Sequence, residues 1–171
     1  HRFQVPKIKR YAGAAFANRR AISFFFFTNH ATIPLASINA TSGLSFMNGV
    51  TAILLAAGLS KRFGAANKLL EKIDGEAMVR RVAVAVCASK AMRIVVVLGH
   101  EADLIADALS GLALETVLNS DFGDGQISSV RVGVRAVGDD ATGFMMCLGD
   151  QPLLTSADYD ALIDAFSEQP D

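Results

Sequence analysis

A glycine-bearing, cationic segment is the part of this sequence best suited to chemistry. Directly after an apolar run it holds two glycines, a hydroxyl and cations: Gly58, Ser60, Arg62, Gly64 and Lys68. Glycines allow close backbone approach, and N–H groups with cationic side chains bind polyphosphates. The spacing fits neither GxxxxGK[ST] nor GxGxxG, which disfavours a kinase-type ATPase or a nicotinamide dehydrogenase. Considered alone, the segment better fits a strand-to-helix turn with solvated Lys and Arg side chains.

One carboxylate elsewhere in the sequence favours polyphosphate binding over a simple strand-to-helix turn. Asp150 follows an apolar run and lies between Gly149 and Pro152. A carboxylate in this position suits a magnesium ion that bridges phosphate oxygens. The alternative is that Asp150 caps the last predicted helix, but Thr155, three residues before Asp158, is better placed to do so. A carboxylate beside a phosphate cradle therefore predicts nucleotide chemistry.

The elements that must position these residues alternate regularly. Short apolar runs predict buried parallel strands over residues 50–56, 93–98, 114–118 and 143–148. Apolar positions at helical spacing predict helices over residues 78–87, 104–109, 127–137 and 159–166. The order βαβαβαβα predicts a three-layer, doubly wound α/β domain with a mostly parallel sheet. Ligands bind beyond the carboxyl ends of such strands, so the segments at His100, Asn119 and Asp150 should share one rim with the glycine-bearing loop.

Overall composition gives no reason to expect nucleic acid or a membrane as partner. The 171 residues include 16 Lys and Arg against 17 Asp and Glu, a net charge of -1. No apolar run in the first part of the chain approaches the roughly 18 residues of a membrane span. The two cysteines, Cys87 and Cys147, lack metal-ligand spacing, which favours a reducing, cytoplasmic setting.

Residues 1–46 differ from the rest of the chain. They hold six basic residues, no acidic residue and seven of the eleven Phe, but no helical or alternating period. We expect a leader that is unstructured or not native to the protein, with the folded domain over residues 47–171. An organelle-targeting peptide is the alternative, and the Phe run weakly resembles a secretion signal.

Four segments together resemble the molybdenum cofactor cytidylyltransferase family, which belongs to the nucleotidyltransferases and is similar to the cofactor guanylyltransferases. They are LLAAGLSKRFGAANKLL at 54–70, LGHEAD at 98–103, GQISS at 125–129 and LGDQPLLT at 148–155. The resemblance covers about residues 50–168, and its first and last motifs are specific in combination. Ala57 resembles the cytidine-using branch, since guanine-using relatives typically carry glycine there. The implied fold is Rossmann-like, as in nucleotide-diphospho-sugar transferases.

The resemblance implies Mg²⁺-dependent transfer of CMP from CTP to the terminal phosphate of molybdopterin, with release of pyrophosphate. By the same resemblance Ala56, Ala57 and Gly58 lie against cytosine and ribose, and Ser60, Arg62 and Gly64 against the triphosphate. Lys68 is then placed on the α-phosphate and Asp150 on magnesium, and these two with Arg62 are the implied catalytic residues. Ser128 and Ser129 match a GxSS-type segment and could donate to an anion, although serines there also serve as simple helix caps.

Relatives in this family continue beyond the last predicted helix with a glycine-rich acceptor segment and a further acidic metal ligand. We therefore expect the domain at 47–171 to be incomplete at its C terminus, which puts the activity of this chain in doubt. Two alternatives stay open. One is a related nucleotidyltransferase that uses another nucleotide or a sugar-phosphate acceptor. The other is a non-catalytic fragment that binds nucleotide or cofactor and delivers it to a molybdenum hydroxylase or its maturation factor.

Overall fold

The strands of the described chain form one five-stranded sheet and one small hairpin. The computed structural model describes residues 26–28, 49–59, 66–138, 141 and 143–168. The strands are β1 Phe26–Thr28, β2 Val50–Ala56, β3 Lys72–Ile73, β4 Glu76–Ala77, β5 Arg93–Leu98, β6 Glu115–Leu118 and β7 Gly143–Leu148. The helices are α1 Met78–Cys87, α2 Ala102–Ala108, α3 Gln126–Val137 and α4 Ser156–Ser167, with 3₁₀ turns at Lys68–Leu70 and Phe122–Asp124.

The main sheet has the order β1-β7-β2-β5-β6. β2 runs parallel to β5 and β7, and β5 runs parallel to β6, which confirms the four predicted parallel strands. The pairs Ala56 with Leu98, Leu98 with Leu118, and Leu55 with Leu148 align their carboxyl ends. All four post-strand segments therefore begin at one edge of the sheet.

Helices cover both faces of this sheet and bury its central strand completely. On β2, Ala52, Leu54 and Ala56 pack in the core shared with α1, α2 and α4. Ile53 and Leu55 pack on the opposite face with apolar residues of α3. Every residue of β2 is buried because both faces are covered. The predicted three-layer α/β architecture is confirmed.

Helix α3 lies close to the sheet because residue 133 has no side chain. A Cβ atom on Gly133 would lie 2.5 Å from Cγ2 of Ile53 and 3.1 Å from Cγ2 of Val97. Such a short separation is not tolerated in a packed core. Gly133 thus sets how near the second half of α3 comes to the sheet.

Two local features differ from the sequence prediction. The strand predicted at 114–118 was expected to be buried, but within the described chain β6 lies at one edge of the sheet, and Glu115, Thr116 and Leu118 are exposed. The β3–β4 hairpin was not predicted, because strands of two residues carry no detectable alternation. Its turn residues Asp74 and Gly75 both have positive φ, 54° and 87°, as the type I′ turn of a two-residue hairpin requires.

The segment at Phe26–Thr28 pairs antiparallel with Gly143–Met145 of β7. The rest of residues 1–48 lies outside the described residues, so the domain boundary at Met47 stays a prediction. None of the helices in the described ranges has the length and apolar character that crossing a lipid bilayer requires.

Candidate functional site

An open cleft of about 660 Å³ lies at the carboxyl ends of the parallel strands. Its size falls within the roughly 300–1,000 Å³ typical of small-molecule sites. Backbone and side chains from four segments line it: residues 55 and 57–59, Lys68 and Leu69, residues 122–129 in part, and residues 148–150. The cleft is therefore where the predicted rim was expected, and most of the described residues that line it are apolar or glycine.

Lys68 and Asp150 meet at this cleft although 82 residues separate them in sequence. The Lys68 Nζ donates to Asp150 Oδ2 at 3.1 Å, and the two side chains are 34% and 45% exposed. Each backbone is anchored independently of that contact. The N–H of Leu69 donates to the buried Asn67 side chain at 3.1 Å, which starts the 3₁₀ turn. On the other side, the N–H of Gly149 donates to the Leu55 carbonyl at 3.1 Å.

The helix cap predicted for α4 leaves Asp150 available to the cleft. Thr155 and Asp158 form a capping box, in which the Thr155 hydroxyl accepts from the Asp158 N–H and the Asp158 carboxylate accepts from the Thr155 N–H. This confirms that Thr155, and not Asp150, caps the last helix.

A buried asparagine organises the loop that follows β6. Asn119 is 1% exposed, and its backbone N–H donates to the Leu98 carbonyl at 2.8 Å. Its Nδ2 donates to Ser128 Oγ at 2.9 Å and to Ser129 Oγ at 3.0 Å. Its Oδ1 accepts from the backbone N–H of Asp121 at 3.0 Å. One amide thereby joins the end of β6 to the start of α3.

The N-terminus of α3 faces the cleft without a side-chain cap. The N-cap residue is Gly125, whose φ of 95° favours glycine, and no side chain bonds to the first turn from that position. Gly125, Gln126 and Ser129 line the cleft. A helix start with N–H groups of this kind attracts anions.

Two glycines allow the backbone segments that form the cleft floor to pack closely. A Cβ on Gly99 would lie 2.7 Å from Cβ of Ala57 and 2.8 Å from Cβ of Phe122. A Cβ on Gly149 would lie 3.0 Å from the Leu55 carbonyl oxygen. Both positions follow a strand, and a larger residue at either would push the floor apart.

The predicted site residues fall into three groups. Ala57, Gly58, Lys68, Ser129 and Asp150 line the cleft together. Ser60, Arg62 and Gly64 lie outside the described residues.

The third group is described but does not line the cleft. Ala56 packs its side chain into the core shared with α1, α2 and α4, so any ligand contact would have to use its backbone. Ser128 turns its hydroxyl back to the loop, where Oγ lies 2.9 Å from the Asp121 carbonyl and 2.8 Å from the Gly125 carbonyl. This is the local structural use of a serine that the sequence left as the alternative.

Sequence reasoning missed two cleft residues and one supporting residue. Phe122 and Gly123 line the cleft, and the ring of Phe122 meets that of His100 edge to face, with centroids 6.0 Å apart. Asn119 was expected only on the polar rim, with no role. A polar residue directly after a predicted strand and ahead of a Gly-x-Ser-Ser-type segment was the available signal.

The donor set at the cleft fits a hard divalent cation bound together with phosphate. Lys68 donates to Oδ2 of Asp150, and carboxylate oxygens with phosphate oxygens and water suit magnesium. Among the described residues, no group of three or more His, Cys, Asp and Glu side chains could hold a metal ion. A metal bound here would take Asp150 as a ligand, together with phosphate and water oxygens.

Comparison with models of known protein families shows which family the chain belongs to. The profile of the MobA-like NTP transferase domain matches residues 52–171. The chain belongs to this family. The matched region includes most of β2, the described residues that line the cleft, and Lys68 and Asp150 among them. No curated protein matches the chain.

Several solved structures share the fold. A nucleotidyl transferase from Methanothermobacter thermautotroptrophicus is 28% identical with a TM-score of 0.60, over 68% of this chain and 57% of that one. A homologue of Rv0371c from mycobacterium sp. strain JC1 is 30% identical with a TM-score of 0.61, over 67% and 58%. Rv0371c of Mycobacterium tuberculosis in complex with manganese, at 24% identity, a TM-score of 0.59 and coverages of 70% and 60%, supports the fold alone. The chain thus spans about three fifths of the length of these structures.

Proposed function

We propose that this protein transfers a nucleotidyl group from a nucleoside triphosphate to a phosphorylated acceptor and releases pyrophosphate. More narrowly, we propose CTP as the donor and the terminal phosphate of molybdopterin as the acceptor. The observation that carries the proposal is the meeting of Lys68 and Asp150 at 3.1 Å beside an uncapped helix N-terminus. A cation, a carboxylate and backbone N–H groups are what phosphoryl-type transfer requires of a protein.

The reaction needs no protein nucleophile. An oxygen of the acceptor phosphate attacks the α-phosphorus of the nucleotide, and the bond from that phosphorus to the bridging oxygen breaks as pyrophosphate leaves. Lys68 stabilises the charge on the α-phosphate, and the start of α3 can hold a further anionic group. Asp150 would hold magnesium, which supplies charge neutralisation on the phosphate oxygens when bound.

The residues of the cleft floor support a pyrimidine nucleotide. Ala57 is 3% exposed and contributes a methyl group to a floor already packed against Gly99 and Phe122. Relatives that use guanine typically carry glycine at this position, which would leave more room. The product with CTP would be a cofactor nucleotide for a molybdenum hydroxylase or its maturation factor.

The test is pyrophosphate release by the purified chain with magnesium and molybdopterin, offered CTP, GTP, UTP and ATP in turn. We expect turnover with CTP and at least tenfold less with the others. A second series replaces molybdopterin with sugar phosphates. Preference for another nucleotide or acceptor would correct the substrates, whereas CTP binding without turnover would leave a non-catalytic binding fragment.

A variant pair checks the role of Lys68 in the same assay. Lys68→Ala should lower turnover by about two to three powers of ten, as expected when a cation that stabilises transition-state charge is lost. Lys90→Ala is the matched control, because Lys90 also pairs with an aspartate, Asp164 at 2.7 Å, away from the cleft. Unchanged turnover in folded Lys68→Ala would remove Lys68 from the mechanism.

A further inference from the structure

The two adjacent serines at the start of α3 differ in where their hydroxyl protons can go. A serine hydroxyl has one proton to donate and lone pairs to accept with. Ser128 has backbone carbonyls of Asp121 and Gly125 within 2.9 Å. Ser129 is 5% exposed and lines the cleft, and within the described part of the chain its hydroxyl proton has no acceptor. A buried donor at the wall of a cleft is costly unless a ligand uses it.

The side-chain amide of Asn119 determines that the Ser129 hydroxyl accepts a hydrogen bond from the loop. The orientation of its amide is fixed because the N–H of Asp121 can only donate, and it donates to Oδ1 at 3.0 Å. The other end of the amide must then be Nδ2, which donates to both serine hydroxyls. Ser129 Oγ therefore accepts from inside the loop, and its own proton is left to point elsewhere.

We propose that Asn119 is a positioning residue that holds the Ser129 hydroxyl as a hydrogen-bond donor to the nucleotide in the cleft. The inference rests on the proposed nucleotidyltransferase function and adds to it a residue that touches no substrate. Asn119 influences the cleft through Ser129, because it is itself buried and, of the two serines that accept its amide protons, Ser129 is the one that lines the cleft. The ligand group recognised is an acceptor oxygen of the nucleotide, either of a phosphate or of the ribose.

The decisive experiment is a double-mutant cycle read as CTP affinity by calorimetry in the presence of magnesium. Ser129→Ala should weaken CTP binding about fivefold to tenfold, the loss of one hydrogen bond to a charged or strongly polar group. Ser128→Ala is the matched control and should change affinity less than twofold, since its proton already goes to the backbone.

In the Asn119→Asp background, Ser129→Ala should have no further effect on CTP affinity. An aspartate keeps the bond from the Asp121 N–H, but its second oxygen accepts the Ser129 proton and turns it away from the cleft. The added negative charge weakens CTP binding equally in Asn119→Asp and in the double variant, so its effect cancels when the two are compared. A full fivefold effect of Ser129→Ala in this background would overturn the role of Asn119.

A second variant covers the case in which a buried aspartate at position 119 prevents folding, as checked by thermal melting. Asn119→Ala removes the donor that directs Ser129, and the effect of Ser129→Ala on CTP affinity should then fall below twofold. Inorganic triphosphate, titrated in parallel, distinguishes a phosphate oxygen from a ribose oxygen as the acceptor. CTP binding by the parent protein with no loss in Ser129→Ala overturns this inference alone. Failure of the parent protein to bind any nucleotide overturns the proposed function as well.

Discussion

Replacing Asp150 with Asn should change CTP affinity in opposite directions with and without magnesium. Without metal, the Asp150 carboxylate lies 3.1 Å from the Lys68 ammonium and reduces its attraction for phosphate. With metal, the same carboxylate is the proposed ligand. Asn keeps the shape of the side chain but has no charge, so it separates these two effects.

The structure sets the size of each effect. The Coulomb attraction of the pair at 3.1 Å is about 1.3 kcal/mol in bulk water. Side-chain ordering offsets most of it at this exposure, so the substitution should lower the free energy of unfolding by no more than about 1 kcal/mol.

Nucleotide affinity responds more strongly than stability. A phosphate charge about 5 Å from the carboxylate is repelled by about 0.8 kcal/mol, or about fourfold in affinity. Several phosphate charges raise the expected gain of Asp150→Asn without metal to about fivefold to tenfold. With magnesium, loss of the carboxylate ligand should weaken binding by about tenfold or more.

The assay is calorimetric titration of CTP into the parent protein and the variant, once with EDTA and once with magnesium. Asp164→Asn is the control, because it removes the same charge from another Lys–Asp pair, the one with Lys90. It should leave both affinities within twofold. Equal improvement by magnesium in the parent protein and in Asp150→Asn would show that the metal is held elsewhere, and an unchanged affinity in EDTA would refute the electrostatic reasoning.

Three further predictions concern the scaffold. Gly133→Ala should lower the free energy of unfolding by about 1 kcal/mol, since overpacking against Ile53 exceeds the gain in helix propensity, and urea unfolding measures it. Arg93→Ala should cost about 1–2 kcal/mol in the same measurement, because Arg93 donates to both carboxylate oxygens of an edge-strand glutamate at 2.7 Å and to the last carbonyls of α3. Burial raises the pKa of Cys147 to about 12 from 9.0, so its thiol should resist alkylation in the folded protein while Cys87 reacts first. The stability linked to that proton is complete below pH 9 and is lost as the pH rises towards 12, which melting curves across this range would show.

Hydrophobic periodicity determined the architecture of this protein. The strand at Val50–Ala56 and the helix at Met78–Cys87 are at the predicted positions, because the covering of both sheet faces demands long apolar runs and helical spacing. The capping box at Thr155 was also readable, since it depends on residues three apart. Such features depend on residues that are close together in the sequence, so they can be recognised from the sequence alone.

Strand β6 shows a feature that local sequence patterns do not predict. Its apolar residues predicted burial, but an edge strand is defined by the absence of a neighbour, which no local pattern encodes. Position in the sheet depends on how all the strands are ordered. The exposure of Leu118 was therefore decided by tertiary structure.

The candidate site divides in the same way. Residue types and motifs singled out Lys68, Asp150 and Ser129 because cations, carboxylates and hydroxyls have a limited set of uses. Only the fold brought Lys68 within 3.1 Å of Asp150, since an ion pair across 82 residues depends on strand order and register. Only the fold gave the two serines different partners, because the Asn119 amide can reach both while backbone carbonyls reach just one. The type of a side chain limits which reactions and contacts it can take part in, but the packing around it determines which group donates and which accepts each hydrogen bond.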